Sequence, residues 1–169
     1  WETQATPVWA SLDAFLADIG PRAFRFAEAG LRHHDDALDA VQDAMMKMLA
    51  YRERPADEWP PLFWRILRTR IIDAQRRRRF RSSWMGSATL EDGAEMEWAD
   101  AGPDPSRSHD SREAWGRMRK AMRALPERQR EAFTLRVLEE FDVAETAAIM
   151  GCSEGALKTH LSRARAALQ

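Results

Sequence analysis

The stretch 139–169 carries the pattern that most constrains the fold of this chain. One apolar stripe at helical period runs through its second half, at Leu157, Leu161, Ala164 and Leu168. Ahead of that stripe, Gly151 suits the left-handed end of one helix and Ser153 suits the N-cap of the next. The sequence therefore predicts two short helices joined by a tight Gly-Cys-Ser turn.

The face opposite this stripe is short-chained, polar and cationic, which suits a helix that enters the major groove of DNA. The candidate DNA-contacting residues of this helix are Ser153, Gly155, Lys158, Thr159, Ser162 and Arg163. The simpler interpretation is a helical hairpin with a solvated basic face. Periodicity alone leaves both interpretations open.

Length and composition limit the number of domains and the compartments in which the chain is expected to function. The chain has 169 residues, enough for one domain or two small ones, and its formal net charge is −1. Cys152 is its single cysteine, so no internal disulfide is expected and a reducing compartment fits. Because neither a membrane-length apolar run nor a signal-peptide pattern is found, we expect no membrane insertion and a cytoplasmic location.

The first half reads as a series of helices, and no strand pattern is found anywhere in the sequence. A short helix over 11–18 is expected to stop at Gly20 and Pro21, with Pro21 opening the next helix. A helix capped by Asp35 or Asp36 follows to about Tyr51, with Val41, Met45, Met48 and Leu49 facing inward. A long helix then runs from about 62 to 81. The fold class is therefore all-α.

Charge changes sign between the last two of these helices. The helix around Val41 is acidic, whereas the next one carries a block of arginines. These arginines are Arg65, Arg68, Arg70, Arg76, Arg77, Arg78, Arg79 and Arg81. Arginine forks suit phosphates, and aromatic side chains beside them suit unpaired bases, which makes Trp59, Phe63 and Trp64 candidates for single-stranded nucleic acid. For Phe63, a place in the core is an equally good interpretation.

The stretch 82–108 differs from the helices on both sides. It is rich in glycine, proline and small polar residues, and it holds six acidic residues against one basic residue, Arg107. This composition predicts an acidic linker between two small helical domains, 1–81 and 109–169. The second domain begins with helices over 110–124 and 127–138, in which Phe133 and Val137 are expected to be buried, and ends with the helical pair described above.

Three segments together resemble the bacterial sigma factors of the extracytoplasmic-function (ECF) group. Leu125–Leu168 opens with Leu-Pro-Glu-Arg-Gln-Arg-Glu and closes with Gly-x-Leu-Lys-x-x-Leu-x-Arg-Ala-Arg-x-x-Leu, which is similar to region four of that family. DDALDAVQDAMMKML resembles the region-two helix that binds core RNA polymerase. FWRILRTRIIDAQRRRRF resembles the helix that engages the promoter minus-10 element. Thr69 replaces the commoner Asn, which leaves the promoter preference open.

This resemblance implies a promoter-specificity subunit rather than an enzyme, with no cofactor and no metal. Core RNA polymerase and promoter DNA are the expected partners, and an anti-sigma factor is a further candidate. The implied polymerase contacts are Asp36, Asp39, Gln42 and Asp43. The implied minus-10 contacts are Trp59, Phe63, Trp64, Arg65, Arg68, Arg76 and Arg77. The cationic face of the last helix would read the minus-35 element.

Two other functions compete with this one. A response-regulator output domain shares the Glu-Gly-x-x-Lys-Thr-His-Leu pattern, but such a regulator would carry a receiver or sensor domain in the first half. A metal phosphohydrolase could be built on the turn His33, His34, Asp35 and Asp36. That cluster stands alone in the sequence, and a polar turn with a helix cap explains it fully.

Overall fold

The computed structural model describes residues 9–85 and 109–169, and every regular element in these ranges is helical. The chain divides into two compact units, Trp1–Met96 and Glu97–Gln169, and each is described by itself. Most of the stretch predicted to be a linker, 86–108, lies outside the described residues. Its first residues, 82–85, continue the preceding helix, so that helix is longer than predicted.

The first unit packs three helices against one another. They are α1 (Leu12–Leu31), α2 (His34–Met48) and α3 (Trp59–Met85), with short 3-10 turns at Leu49–Tyr51 and Ala56–Glu58. Helix α3 begins with Pro60 and Pro61 in its first turn, where a missing amide proton costs no helical hydrogen bond. Each helix buries one face, and the three faces form a shared core.

The predicted break at Gly20 and Pro21 is wrong, because α1 runs unbroken through both residues. The same face stays buried on either side of them, from Leu12 and Phe15 to Ala27 and Leu31. A proline inside a helix costs about 3 kcal/mol. Burial of one large apolar side chain contributes about 1.5–3 kcal/mol, so a continuous stripe outweighs the proline.

The start of α2 also differs from the sequence prediction. His33, rather than Asp35 or Asp36, is the N-cap: its Nδ1 accepts a hydrogen bond from the backbone N–H of Asp36 at 3.2 Å. Inward-facing Val41 and Met48 are buried as predicted, whereas Leu49 is 46% exposed. Leu49 follows the last α-helical residue, and the 3-10 turn there rotates its side chain out of the helical stripe.

Large aromatic side chains fill the core of the first unit. The Phe15 ring is fully buried, with its centroid 4.8 Å from that of Trp9 and 5.9 Å from that of Phe63. The Trp64 ring meets Phe26 edge-on at 5.2 Å. Edge-to-face pairs at these distances add to the hydrophobic contribution of the buried area, so α1 and α3 are held by ring contacts as well as by burial.

In its described part, residues 109–169, the second unit holds four α-helices and one π-helical turn. They are α4 (His109–Ala124), α5 (Glu127–Phe133), the π turn Thr134–Leu138, α6 (Val143–Met150) and α7 (Glu154–Ala167). Helices α5, α6 and α7 pack on one another around Leu135, Met150 and Leu157, all of which are at most 1% exposed. Fold class and helix order agree with the sequence prediction.

The predicted burial of Phe133 and Val137 is wrong, because both are only half-buried, while Ala132 and Leu135 are fully buried. For Val137 the cause is the π turn, in which the N–H of Glu139 bonds to the carbonyl of Thr134, five residues back. A π turn holds more residues than an α turn, so the buried stripe shifts in register. A prediction based on 3.6-residue periodicity misses this shift.

We expect the Phe15→Ala variant to lose about 3–5 kcal/mol of unfolding free energy in the first unit, because it removes a fully buried ring that contacts three others. Denaturant titration followed by helical circular dichroism measures the loss. Phe80→Ala is the matched control, since Phe80 is 63% exposed and its removal should change stability by less than about 0.5 kcal/mol. Similar losses in both variants would contradict this account of the core.

Candidate functional site

The exposed face of α7 has the orientation that the sequence predicts. Leu157 and Ala164 on one side are fully buried, whereas Gly155, Lys158, Thr159, Ser162 and Arg163 on the other side are all exposed. Lys158 and Thr159 lie in the N-terminal half of the helix, and Arg163 lies one turn further on. The predicted surface therefore exists as a continuous polar and cationic strip.

Local capping fixes where α7 begins. Helix α6 ends at Gly151, which has a φ of 68°, a left-handed conformation that glycine adopts without strain. The Ser153 hydroxyl accepts a hydrogen bond from the backbone N–H of Ala156 at 3.0 Å, as expected of an N-cap. The Ser153 hydroxyl is thus engaged in the cap that begins α7. The residue is also exposed, so it lies at the edge of the predicted DNA-contacting face.

Arg128, which pairs with Glu131, contacts the end of α6 next to the turn between α6 and α7. Arg128 of α5 donates a hydrogen bond to the backbone carbonyl of Met150 at 3.0 Å, and it lies 3.5 Å from the carboxylate of Glu131, which is 3% exposed. The bond satisfies a carbonyl at the C-terminal end of α6, where the helix itself offers no partner. Sequence reasoning missed this contact. The sequence feature that could have indicated it is the charged run Glu-Arg-Gln-Arg-Glu beside an apolar stripe.

The aromatic residues at the start of α3 do not form the predicted nucleic-acid surface. Trp59, Phe63 and Trp64 are 5%, 0% and 1% exposed, so their rings cannot stack on a base in this conformation. Trp59 instead donates its indole N–H to the carbonyl of Tyr51 at 3.2 Å and so joins the two ends of the connection between α2 and α3. The prediction failed because α3 packs against both α1 and α2, which widens its buried arc.

The arginines of α3 divide into two groups that face different ways. Arg65, Arg68, Arg76 and Arg79 are spaced by three, eight and three residues, so they share one outward face. The remaining four lie on the side turned toward α2. They are Arg70, Arg77, Arg78 and Arg81. The contiguous run in the sequence is therefore not one continuous cationic surface.

The acidic helix α2 supplies counter-charges for the second group. Asp36 accepts a hydrogen bond from Arg78 at 3.0 Å and lies 4.0 Å from Arg81. Arg70 and Arg77 line a small cleft together with Asp36, Asp39 and Asp43. Arg77, predicted to contact DNA, is exposed but borders these carboxylates. Arg65 and Arg76 point away from them and are exposed.

The predicted polymerase-contacting residues on α2 are also divided. Asp39, Gln42 and Asp43 are exposed and lie at i, i+3 and i+4, which places them on one face. Asp36 differs from these three, since its side chain is 23% exposed and paired with Arg78. Its main role in this structure is to join α2 to α3.

The turn that suggested a metal site has structural partners. His33 caps α2, Asp36 pairs with Arg78, and the His34 ring lies 3.1 Å from the carboxylate of Asp35 and edge-on to Phe24 at 5.5 Å. Within the described ranges, no group of three or more His, Cys, Asp or Glu side chains is placed to hold a metal ion. None of the helices described has the length and apolarity needed to span a membrane.

Two helical units, one with an arginine-faced helix and one with an exposed cationic helix after a tight turn, define a class of DNA-directed transcription proteins. Residues 115–168 match the family model of sigma-70, region 4. The ECF RNA polymerase sigma factor EcfG of Rhodopseudomonas palustris is 30% identical over 158 residues, which cover 92% of this chain and 81% of EcfG. The ECF sigma factor SigM of Mycobacterium tuberculosis is 31% identical over 144 residues, covering 85% of this chain and 68% of SigM.

Solved structures give the same result. The sigma factor RpoE from Bartonella quintana, crystallised with the anti-sigma factor NepR, superposes with a TM-score of 0.61 at 31% identity, covering 92% of this chain and 94% of RpoE. CnrH, solved with the cytosolic domain of CnrY, has a similar fold, with a TM-score of 0.56 at 19% identity. The chain belongs to the ECF group of the sigma-70 family of RNA polymerase sigma factors.

This membership settles the choice between the candidate functions. The relatives match across both units, whereas the response-regulator alternative accounts for the second unit alone and is not favoured. The chain is an RNA polymerase sigma factor that acts in promoter recognition and transcription initiation.

We expect the ion pair between Asp36 and Arg78 to contribute about 1 kcal/mol of coupling free energy to the stability of the first unit, because both side chains are only partly buried. A double-mutant cycle with Asp36→Ala and Arg78→Ala measures this coupling. The matched control is Asp35→Ala, since the neighbouring Asp35 side chain is 82% exposed and does not reach Arg78. Equal coupling of Asp35 and Asp36 to Arg78 would refute the assignment.

Proposed function

We propose that the two units divide the work of promoter recognition. The first unit binds core RNA polymerase through α2 and the minus-10 element through the outward face of α3. The second unit reads the minus-35 element through α7. RNA synthesis itself belongs to the polymerase, and the chain works in the cytoplasm without a cofactor. The observation that carries this proposal is the exposed strip of α7 opposite the fully buried Leu157 and Ala164, inside the segment similar to sigma-70 region 4.

The polymerase contact is proposed for Asp39, Gln42 and Asp43. These three side chains are exposed, lie on one face of α2 and carry two negative charges. Two carboxylates on a rigid helix attract a basic partner and fix the register of docking. Asp36 is left out of the contact set, because its carboxylate is held by Arg78. It supports the interface by fixing α2 against α3.

Reversing both charges tests the contact. The variant Asp39→Lys with Asp43→Lys should lose binding to core RNA polymerase by at least about ten-fold, because like charges placed in an interface cost several kcal/mol. Because both positions are exposed, the fold should survive. Pull-down with core polymerase measures the binding.

The matched control reverses two exposed acidic residues elsewhere in the same unit, Glu53→Lys with Asp57→Lys. This variant carries the same change in net charge and should bind core polymerase normally. If both double variants lose binding alike, net charge rather than the α2 face would be responsible. Undiminished binding by the Asp39 and Asp43 variant would remove α2 from the interface.

The minus-10 contact is proposed for Arg65, Arg68 and Arg76 on the outward face of α3. Arginine suits this role because its planar fork donates two hydrogen bonds to a phosphate. Arg77 is a weaker candidate than the sequence suggested, since it borders Asp39 and Asp43 in the cleft between α2 and α3. The buried aromatic residues Trp59, Phe63 and Trp64 are not part of this proposal.

The minus-35 contact is proposed for the α7 strip. Lys158 and Thr159 lie where a recognition helix presents its N-terminal residues to base edges, and Arg163 lies where it can reach a phosphate. The Thr159 hydroxyl donates to the carbonyl of Gly155 at 3.2 Å, which fixes its rotamer and leaves its oxygen able to accept. Gly155 adds no side chain to the strip, and a Cβ at this position would meet nothing nearer than the Ser153 hydroxyl oxygen at 4.0 Å.

Two alanine variants separate these roles. Lys158→Ala should relax the preference at one position of the minus-35 element, since a bidentate base contact discriminates by about 1–3 kcal/mol. Arg163→Ala should weaken all sequences alike and lower the salt slope by about one unit. Transcription from a promoter library randomised across that element measures both effects.

Lys120→Ala on α4 is the matched control, because Lys120 is an exposed cation of the same unit outside α7. It should change neither the preference nor the salt slope. Wild-type preference and activity in both α7 variants would mean that this helix does not read DNA.

An anti-sigma factor is proposed as a further partner. RpoE from Bartonella quintana, which is 31% identical to this chain, was crystallised with one. That likeness covers 92% of the chain and so extends over both units.

A further inference from the structure

One side chain of α5 reaches the place where α6 turns into α7. Arg128 donates a hydrogen bond from Nη1 to the backbone carbonyl of Met150, the last residue of α6, at 3.0 Å. The same nitrogen lies 3.5 Å from Oε1 of Glu131, whose side chain is 3% exposed. A guanidinium that is anchored by a buried carboxylate on its own helix therefore holds the end of α6.

The backbone cap of α6 serves other carbonyls than this one. The N–H of Gly151 bonds to the carbonyl of Ala148, and the N–H of Cys152 bonds to that of Ala147. Arg128 supplies a charged donor to the final carbonyl, at Met150, where a helix end needs partners from outside. Because this bond joins residues 22 positions apart, it ties the turn to α5 rather than to its own helix.

Helix α5 is also the helix on which α7 rests. It packs on α7 more extensively than on α6. Helix α6 is only eight residues long, and three residues, Gly151, Cys152 and Ser153, join it to α7. Packing therefore fixes α7 on α5, whereas the bond from Arg128 adds a constraint on the end of α6 and on the turn.

We infer that Arg128 is a positioning residue for recognition of the minus-35 element, because it sets the angle between α6 and α7 and so the depth at which Lys158 and Thr159 meet the groove. This inference rests on the proposed function of α7. In helix-turn-helix docking the first helix crosses the DNA backbone while the second enters the major groove. A base edge is read only at hydrogen-bond distance, so a small rotation of α7 lowers sequence preference more than the general attraction to phosphates.

The surroundings of Arg128 favour this role over a direct contact with a phosphate. Its Nη1 faces a protein carbonyl and the carboxylate of Glu131, which offsets the charge of the guanidinium. The two roles differ in salt dependence. Loss of a phosphate contact lowers the salt slope by about one unit, whereas loss of a positioning residue leaves the slope unchanged.

Arg128→Ala tests the inference in the holoenzyme. The measured quantity is the ratio of affinities for two promoter fragments, one with the minus-35 sequence that the wild type selects from a randomised library and one with that sequence scrambled. The ratio should fall by about ten-fold, roughly the discrimination of one base contact. Affinity for the scrambled fragment and the salt slope should stay as in the wild type.

Three further variants control the measurement. Arg128→Lys keeps a charged donor and should restore most of the preference. Glu131→Gln keeps the shape of the buried side chain but weakens the anchor, so it should lower the preference in the same direction by a smaller factor. Arg119→Ala, at an exposed arginine of α4 in the same unit, should leave the preference unchanged.

Hydrogen exchange separates positioning from a general loss of stability. In Arg128→Ala the amides of Gly151 and Cys152 should exchange faster, while those in the middle of α7 keep their protection. Equal acceleration throughout the second unit would overturn the inference, because Arg128 would then only stabilise the fold. Wild-type preference, or a salt slope lowered by about one unit, would overturn it as well.

Lys158→Ala in the same assay distinguishes this inference from the proposed function. If Lys158→Ala changes the preference and Arg128→Ala does not, the positioning role fails and the proposed function of α7 stands. If neither variant changes the preference, both fail.

Discussion

Helix α3 supplies the first unit with both a large part of its buried core and its block of arginines. The packing of this helix therefore determines which charged side chains of the unit face solvent. Phe63, Trp64, Leu67, Ile71 and Ala74 are at most 4% exposed, so one side of the helix is held by α1 and α2. Burial of these side chains fixes the rotation of α3 about its axis. That rotation turns one set of arginines outward and another toward the acidic side of α2. The direction in which each arginine of α3 points therefore follows from the burial of the apolar side chains on the same helix.

The second unit positions its exposed helix by a different means. Its core side chains are smaller, and polar contacts set the geometry at the ends of the helices. The glycine at 151 and the hydroxyl of Ser153 fix the turn, while Arg128, held by the buried Glu131, binds the last carbonyl of α6. A charged hydrogen bond of this kind contributes about 1.5–3 kcal/mol. Because α6 and α7 meet at that turn, it also restricts the angle at which α7 faces a groove.

Features set by a few neighbouring residues could be predicted from the sequence. The cap at Ser153, the end of α6 at Gly151 and the two faces of α7 all depend on spacing within one or two turns, and the structure confirms them. The difference between the exposed Asp39 and the partly buried Asp36 could not be predicted, since it arises from the pairing of Asp36 with Arg78 of α3. That pairing joins residues that lie 42 positions apart.

Errors in the sequence prediction arose where tertiary packing overrides a local signal. Gly20 and Pro21 read as a break, yet the buried stripe on both sides keeps α1 whole. Trp64 reads as exposed because Arg65 and Arg68 follow it, yet a helix packed on two sides buries a wider arc than a single stripe predicts. The π turn over Thr134–Leu138 leaves Val137 only half-buried, which no fixed period anticipates.

The division of the α3 arginines into two groups limits how steeply the affinity of the proposed nucleic-acid contact can depend on salt concentration. Each phosphate contact to a single strand releases bound counterions and contributes about −0.7 to the slope of log affinity against log salt. If all the arginines of α3 faced the strand, the slope would be steep, but those that face α2 already have carboxylates as neighbours. The outward face holds only Arg65, Arg68, Arg76 and Arg79. For the proposed minus-10 contact we therefore expect a moderate salt dependence, with sequence preference coming from contacts to bases rather than from charge.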